Sequence, residues 1–217
     1  MTRTVALLAG VLPIVAIHGT YLVSAWQGHV PWCVPYFESC TSISATGRYG
    51  ASFYLFKGTM IPAAVLLMFF WYLTAQWLRR LGDTGSAANT IFVMGVVGAA
   101  FLIVYAVALG AAGDTMRLQR RVGVILYFTL TYLAQLVLVW RMGKVILEEP
   151  SRTWLLALCV TTLSIGITTV FLSVFMENYQ EYEDAFEWIL ALLVHLYFLV
   201  LAGAWKRTGF KVSYAVY

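Results

Sequence analysis

Six long apolar runs separated by short polar connections make up most of the chain. They extend from about Val5 to Trp26, Phe53 to Leu78, Thr90 to Ala112, Val122 to Trp140, Trp154 to Phe175 and Phe186 to Trp205. A helix needs about 20 apolar residues to cross the hydrocarbon of a bilayer, so each run predicts one spanning helix. Pro13 and Pro62 fall inside runs and should kink them, with neighbouring helices meeting the freed carbonyls. The first run competes with a signal peptide, because Arg3 resembles a weak n-region and Val23-Ser24-Ala25 a cleavage site. It is too long for a typical h-region and is read as a signal-anchor helix. The connections at Leu81–Asn89, Gly113–Arg121 and Gly143–Ser151 are short, so successive helices should pack antiparallel. The expected fold is all-α: a polytopic six-helix transmembrane bundle forming a single domain over residues 1–217. No internal repeat is visible, which weakens a transporter made of inverted halves.

Composition agrees with this pattern. The chain has 217 residues, of which 61% are hydrophobic and 11% charged, whereas a soluble domain carries about 25% charged residues. Eight Trp and thirteen Tyr suit the headgroup level, where amphipathic rings settle. The net charge of +4 is scattered through short connections and does not form a nucleic-acid surface. Its distribution predicts orientation instead. Arg3, Arg79, Arg80, Arg141, Lys144, Arg152, Lys206, Arg207 and Lys211 lie on one side, and Arg48, Lys57, Arg117, Arg120 and Arg121 on the other. The richer side should be cytoplasmic, with both termini inside, in a plasma membrane or a bacterial inner membrane. Cys33 and Cys40 then share the first external loop, where an oxidising exterior favours a disulfide over two free thiols. Cys159, within the fifth run, is read as a small packing residue.

Helices in lipid associate through small residues. Gly95-x-x-x-Ala99, Ala106-x-x-x-Gly110 and Ser164-x-x-x-Thr168 are read as helix contacts. Ionisable groups in or near spans are functional candidates, because hydrocarbon penalises them. His18, Lys57, Arg121, Glu177, Glu187 and His195 lie towards the outer ends of the spans, and Gln135 lies deeper. Counted at about 1.5 Å per residue, His18 and His195 each sit roughly 12 Å below an outer helix end. Three arrangements compete. Lys57 and Arg121 pair with Glu177 and Glu187 while each His bonds between helices; or these groups line an outer-leaflet cavity for a lipid headgroup, the cations holding phosphate; or both His and a carboxylate bind zinc. HExxH, G-x-S-x-G, P-loop and Rossmann patterns are absent. No catalytic residue, metal or cofactor is assigned.

The loop from about residue 27 to 52 is read as an ordered cap, because His29–Arg48 within it holds two Pro, three aromatics and the cysteine pair. It ends in Thr41-Ser42-Ile43-Ser44-Ala45-Thr46-Gly47-Arg48. Ser42, Ser44, Thr46, Gly47 and Arg48 form a run rich in local hydrogen-bonding groups, able to hold an anion through hydroxyls and backbone N–H groups. This run, after the first helix and shortly before the second, resembles the signature of the Frag/DRAM/Sfk family. That family includes the damage-regulated autophagy modulators and a Golgi protein needed for lipid remodelling of GPI-anchored proteins. Its pattern is close to (P)-x-I-S-x-T-G, often with Asp where this chain has Ala45. Glu187-Trp188 resembles a Glu-aromatic pair in the family's last helix. Arg120-Arg121-Val122-Gly123 stands where many members have a His shortly before a Gly, and that His is missing here. The resemblance implies a six-helix membrane protein with a lipid-linked role. The expected function is lipid binding or organisation as an accessory to other membrane machinery. The partners would be membrane lipids and other membrane proteins, and not nucleic acid. A lipid-modifying enzyme is the first alternative, and a channel or transporter the second.

The charge asymmetry is testable with reporter fusions. Fusions at Thr84 and Pro150 are expected to report the cytoplasm, and fusions at Gly47 and Glu181 the exterior. The opposite pattern would invert the orientation.

Overall fold

A computed structural model describes residues 2–146 and 149–212. The N-terminal Met1, two residues of the fourth connection and the last five residues lie outside the described residues, as do both ends of the predicted 1–217 domain. Eight helices follow in order: α1 (Thr2–Trp26), α2 (Pro35–Glu38), α3 (Ile43–Thr46), α4 (Gly50–Arg80), α5 (Ala87–Ala108), α6 (Asp114–Val145), α7 (Pro150–Phe175) and α8 (Gln180–Arg207). All but α2 and α3 are long and apolar enough to cross a membrane. Helices α1 and α4 continue through Pro13 and Pro62 without interruption.

Two helices begin earlier than the apolar runs do. The predicted connection at Gly113–Arg121 is the first two turns of α6, and the acidic segment before Phe186 is the start of α8. Hydropathy marks the edge of the hydrocarbon and not the end of the helix. Arg, Leu, Met and Gln are good helix formers, so α6 extends beyond its apolar run. The real turn is Gly110–Gly113, where both glycines have positive φ (77° and 100°), a conformation that a Cβ disfavours.

The six long helices form a ring. α1 packs on α4 and α8, α4 on α5, α5 on α6, α6 on α7, and α7 on α8. The interior is aromatic. Phe70 stacks on Trp205 with centroids 5.3 Å apart and meets Phe198 edge-on at 4.9 Å. Trp77 donates its indole N–H to Thr208 Oγ1 at 2.9 Å. The small residues of α5 serve contact as predicted for Gly95 and Ala99: Gly95 receives the Trp71 indole, and Ala99 is buried. The other two motifs come out differently. Gly110 belongs to the turn, and Ser164 and Thr168 face outward from α7. Thr168 there bonds its own backbone, to Ser164 O at 2.8 Å. Helix α7 is the most peripheral member of the ring.

Polar bridges tie α6 to its neighbours at mid-membrane depth. Gln135 Nε2 donates to Val194 O at 3.0 Å, and Tyr197 OH to Gln135 O at 3.0 Å. Tyr132 OH donates to Cys159 O of α7 at 2.9 Å. Two buried carboxylates that hydropathy does not single out fasten the side opposite the cap. Asp83 pairs with Arg141 and accepts the Ala88 N–H at 3.2 Å. Glu149 accepts from Arg207 Nε at 2.8 Å and from Ser151 N at 3.2 Å. Each pair joins one connection to the end of a distant helix.

Glu149 generates a pH prediction. Burial opposes its charge, but the bonds from Arg207 and Ser151 outweigh that and hold the carboxyl below its ordinary value. A carboxylate with a lowered folded pKa stabilises fully above the unfolded value and loses that contribution as pH falls through the folded one. Glu149→Gln is therefore expected to melt below wild type at pH 7, with the gap closing on acidification past the ordinary glutamate value of 4.5. A pH-independent gap would mean that the pair contributes nothing through its charge.

Candidate functional site

The cap is built from the segment between α1 and α4. A disulfide joins Cys33 to Cys40, with their Cα atoms 6.6 Å apart. Tyr21 of α1 reads the same segment twice, donating to Cys33 O at 2.7 Å and accepting from Cys33 N at 2.8 Å. Trp188 of α8 is fully buried, and its indole N–H donates to Thr41 O at 2.8 Å. Three rings surround it edge-on: His18, Tyr21 and Tyr36, at 5.5, 6.0 and 5.6 Å. His18 spans the join between cap and bundle, with Nδ1 on Ile14 O at 2.7 Å and Nε2 on Tyr36 OH at 2.9 Å. At the start of α8, Ala185 N donates to Ser39 Oγ at 3.1 Å. The cap is thereby clamped between the first and last helices.

The Ser/Thr run divides into structural and cavity-facing residues. Ser42 caps α3, its Oγ accepting from Ala45 N at 3.1 Å, a preferred N-cap arrangement. Thr46 is buried and donates to Ile43 O at 2.7 Å. Gly47 lies so close to α4 and α5 that a Cβ there would fall 2.9 Å from Leu109 Cδ2 and from Phe56 Cγ. These two positions hold the cap down. Ser42 and Ser44 share a hydroxyl contact at 3.1 Å, and Arg48 Nη2 donates to Ser44 Oγ at 2.9 Å. Those three line a cavity.

The cavity, of about 970 Å³, lies between α6, α7 and α8 beneath the cap. Its polarity is graded along the helix axes. On α6 the lining runs from Arg117, Arg120 and Arg121 through Val124, Ile125 and Phe128 to Thr129 and Tyr132, recurring at three- and four-residue intervals on one helical face. On α8 Glu183, Asp184 and Glu187 give way to Leu190 and Val194. Charges stand at the cap end and apolar side chains below. Arg117 to Tyr132 covers roughly 22 Å of helix, more than the roughly 15 Å of one leaflet's hydrocarbon. The Tyr132–Cys159 and Gln135–Val194 bridges draw the helices together at the deep end. Between α6 and α7 contact is sparse, and α7 contributes Thr162, Leu163, Gly166 and Thr169 to the wall.

The residues singled out in the sequence therefore disperse. Arg121, Glu187, Ser42, Ser44 and Arg48 come together around the main cavity. Glu187 also borders a small inner cavity with Tyr127 and His195. His195 is buried, with Nδ1 on Ala191 O at 2.6 Å and Nε2 on Tyr127 OH at 3.1 Å. It does not meet His18, so the zinc arrangement is not assembled; among the described residues no three His, Cys, Asp or Glu are grouped to hold a metal. Lys57 turns to α5, donating to Val107 O at 2.9 Å with its ammonium over the Phe53 ring. Glu177 is exposed in the α7–α8 turn. Glu187 lies two turns inside α8 and does not open it, so helix-end stabilisation, which fades after the first turn, does not describe its role. Arg117, Asp184 and Tyr105 also line the cavity. The three-and-four spacing of Arg117, Arg120 and Arg121 with the apolar residues after them was a signal available for the first of these.

Residues 2–206 match the family model of the Frag1/DRAM/Sfk1/Cwh43P N-terminal domain. No curated protein and no solved structure matches the chain.

The separation of Lys57 from the cavity sets an expectation for Glu187. In a thermal-stability series in detergent, Glu187→Gln combined with Lys57→Met should be additive within about 0.5 kcal/mol. Combined with Arg48→Met or Arg121→Met it should cost less than the sum. Coupling to Lys57 alone would contradict this placement.

Proposed function

We propose that this chain, which belongs to the Frag1/DRAM/Sfk1/Cwh43P N-terminal domain family, binds a phosphate-bearing membrane lipid beneath its cap and holds it as an accessory to other membrane machinery. The supporting observation is the polarity gradient of the cavity. Arg48, Arg117, Arg120 and Arg121 stand at its cap end with the Ser42 and Ser44 hydroxyls. Guanidinium groups hold phosphate oxygens through short charge-assisted bonds. Val124, Ile125, Phe128, Leu163 and Leu190 supply the apolar wall below, where acyl chains lie. The sparse α6–α7 seam gives those chains a lateral way into the bilayer. With the termini cytoplasmic, the lipid comes from the outer leaflet.

Gly166 offers a direct test, because it lines the cavity and a Cβ there meets nothing within 4 Å, so a bulky side chain at that position competes for the cavity's space. Purified in mild detergent, wild type is expected to retain phospholipid detectable by mass spectrometry. Gly166→Phe and Arg120→Ala/Arg121→Ala should each retain severalfold less, with Gly166→Phe melting as wild type does. Retention unchanged in both variants would overturn the assignment.

A further inference from the structure

The cavity has two walls of opposite sign. Arg117, Arg120 and Arg121 project from α6, joined by Arg48 of the cap, while Glu183, Asp184 and Glu187 project from α8. Among the described residues the ion pairs are Arg117–Asp114, Arg141–Asp83 and Arg207–Glu149, and none of them joins the walls. Local bonds engage two of these cations. Arg120 Nη1 donates to Ala111 O at 2.6 Å and to Ala108 O at 3.2 Å, at the end of α5. Arg48 is tethered to Ser44. The mid-membrane bridges from Tyr132 and Gln135 fix the helices below. Opposite charges are thus held facing a shared space beside hydrocarbon, where unpaired charge is costly.

We infer that this space takes a zwitterionic headgroup: a phosphate on the arginine wall linked to a primary ammonium on the carboxylate wall. This rests on the lipid-binding reading above and narrows its ligand. A purely anionic headgroup would satisfy the arginines but leave its charge facing three carboxylates. A dipolar one satisfies both walls in a single orientation. The choice of a primary over a quaternary ammonium follows from where the rings are. Quaternary ammonium groups are recognised by aromatic cages. The rings lining the cavity are Tyr105 of α5 and Phe128 and Tyr132 of α6; Tyr105 and Phe128 also border the inner cavity with Glu187, and α8 itself contributes no ring to the lining. The α8 wall at the cap end offers carboxylate oxygen acceptors from Glu183, Asp184 and Glu187. Oxygen acceptors suit an ammonium with three N–H donors.

The test measures binding to the purified full chain in detergent. The probes are short-chain phosphatidylethanolamine, phosphatidylcholine and phosphatidylglycerol, and acyl-free glycerophosphoethanolamine. Phosphatidylethanolamine is expected to bind at least tenfold more tightly than phosphatidylglycerol and more tightly than phosphatidylcholine. The acyl-free compound should bind far more weakly. Glu183→Gln/Asp184→Asn should abolish the preference while keeping, or improving, phosphatidylglycerol binding. Equal affinity of wild type for phosphatidylethanolamine and phosphatidylglycerol would overturn the zwitterion and leave the lipid site standing. Equal affinity for phosphatidylcholine would overturn the primary ammonium. Binding of no lipid at all, or of the acyl-free compound as tightly as the lipid, would overturn the lipid reading itself.

Discussion

A polar group inside hydrocarbon has no water to bond to, and this constraint organises the whole molecule. Side chains deep in the spans meet it by bonding to other helices. His195 reaches Tyr127, Gln135 reaches Val194, and Tyr132 reaches Cys159. These bonds do more than remove a penalty. Spread over Tyr127 to Gln135 of α6, they fasten that helix to α7 and α8. The cavity reaches down to Tyr132 and Val194, where two of these bridges lie. At its rim arginines and carboxylates face one another with no ion pair across the space, and Arg120 and Arg48 bond instead to Ala111 O and Ser44 Oγ.

The cap completes the site because it is fixed at both ends of the chain's own topology. Tyr21 on the first helix and Trp188 on the last hold a disulfide-closed segment between them. Thr46 and Gly47, buried against the bundle, set its height. Ser42, Ser44 and Arg48 are then delivered to a cavity whose remaining walls come from helices far away in sequence. A short surface motif acquires chemistry only through that delivery.

The departures from the family pattern fall beside this rim. Ala45, where other members often carry Asp, sits between Ser44 and Thr46 and contributes its backbone N–H to Ser42. Arg120 and Arg121, where many members carry His, line the cavity. Arg120 and Arg121 present cations at the cavity end, whereas Ala45 is not among its lining residues.

Six spanning helices, their antiparallel order and the Cys33–Cys40 bridge were legible in the chain. Each rests on a local property: an uninterrupted apolar run, a short connection, or two cysteines seven residues apart. The importance of Glu187-Trp188 was legible through resemblance, although the role of Trp188 as the cap's anchor was not. Partners across the bundle were beyond the sequence. Lys57 and Arg121 carry the same charge at similar depth, yet one turns to Val107 and the other lines the cavity. Likewise His18 and His195, counted to matching depth along their helices, separate: His18 packs on Trp188, about two turns before His195 on α8, and they bond to Tyr36 and Tyr127. Hydropathy reports depth along the membrane normal and says nothing about rotation around a helix axis. Which face of each helix turns inward is settled by small residues, aromatic fit and polar bridges between distant segments, and that rotation alone decided which charges meet around a common space.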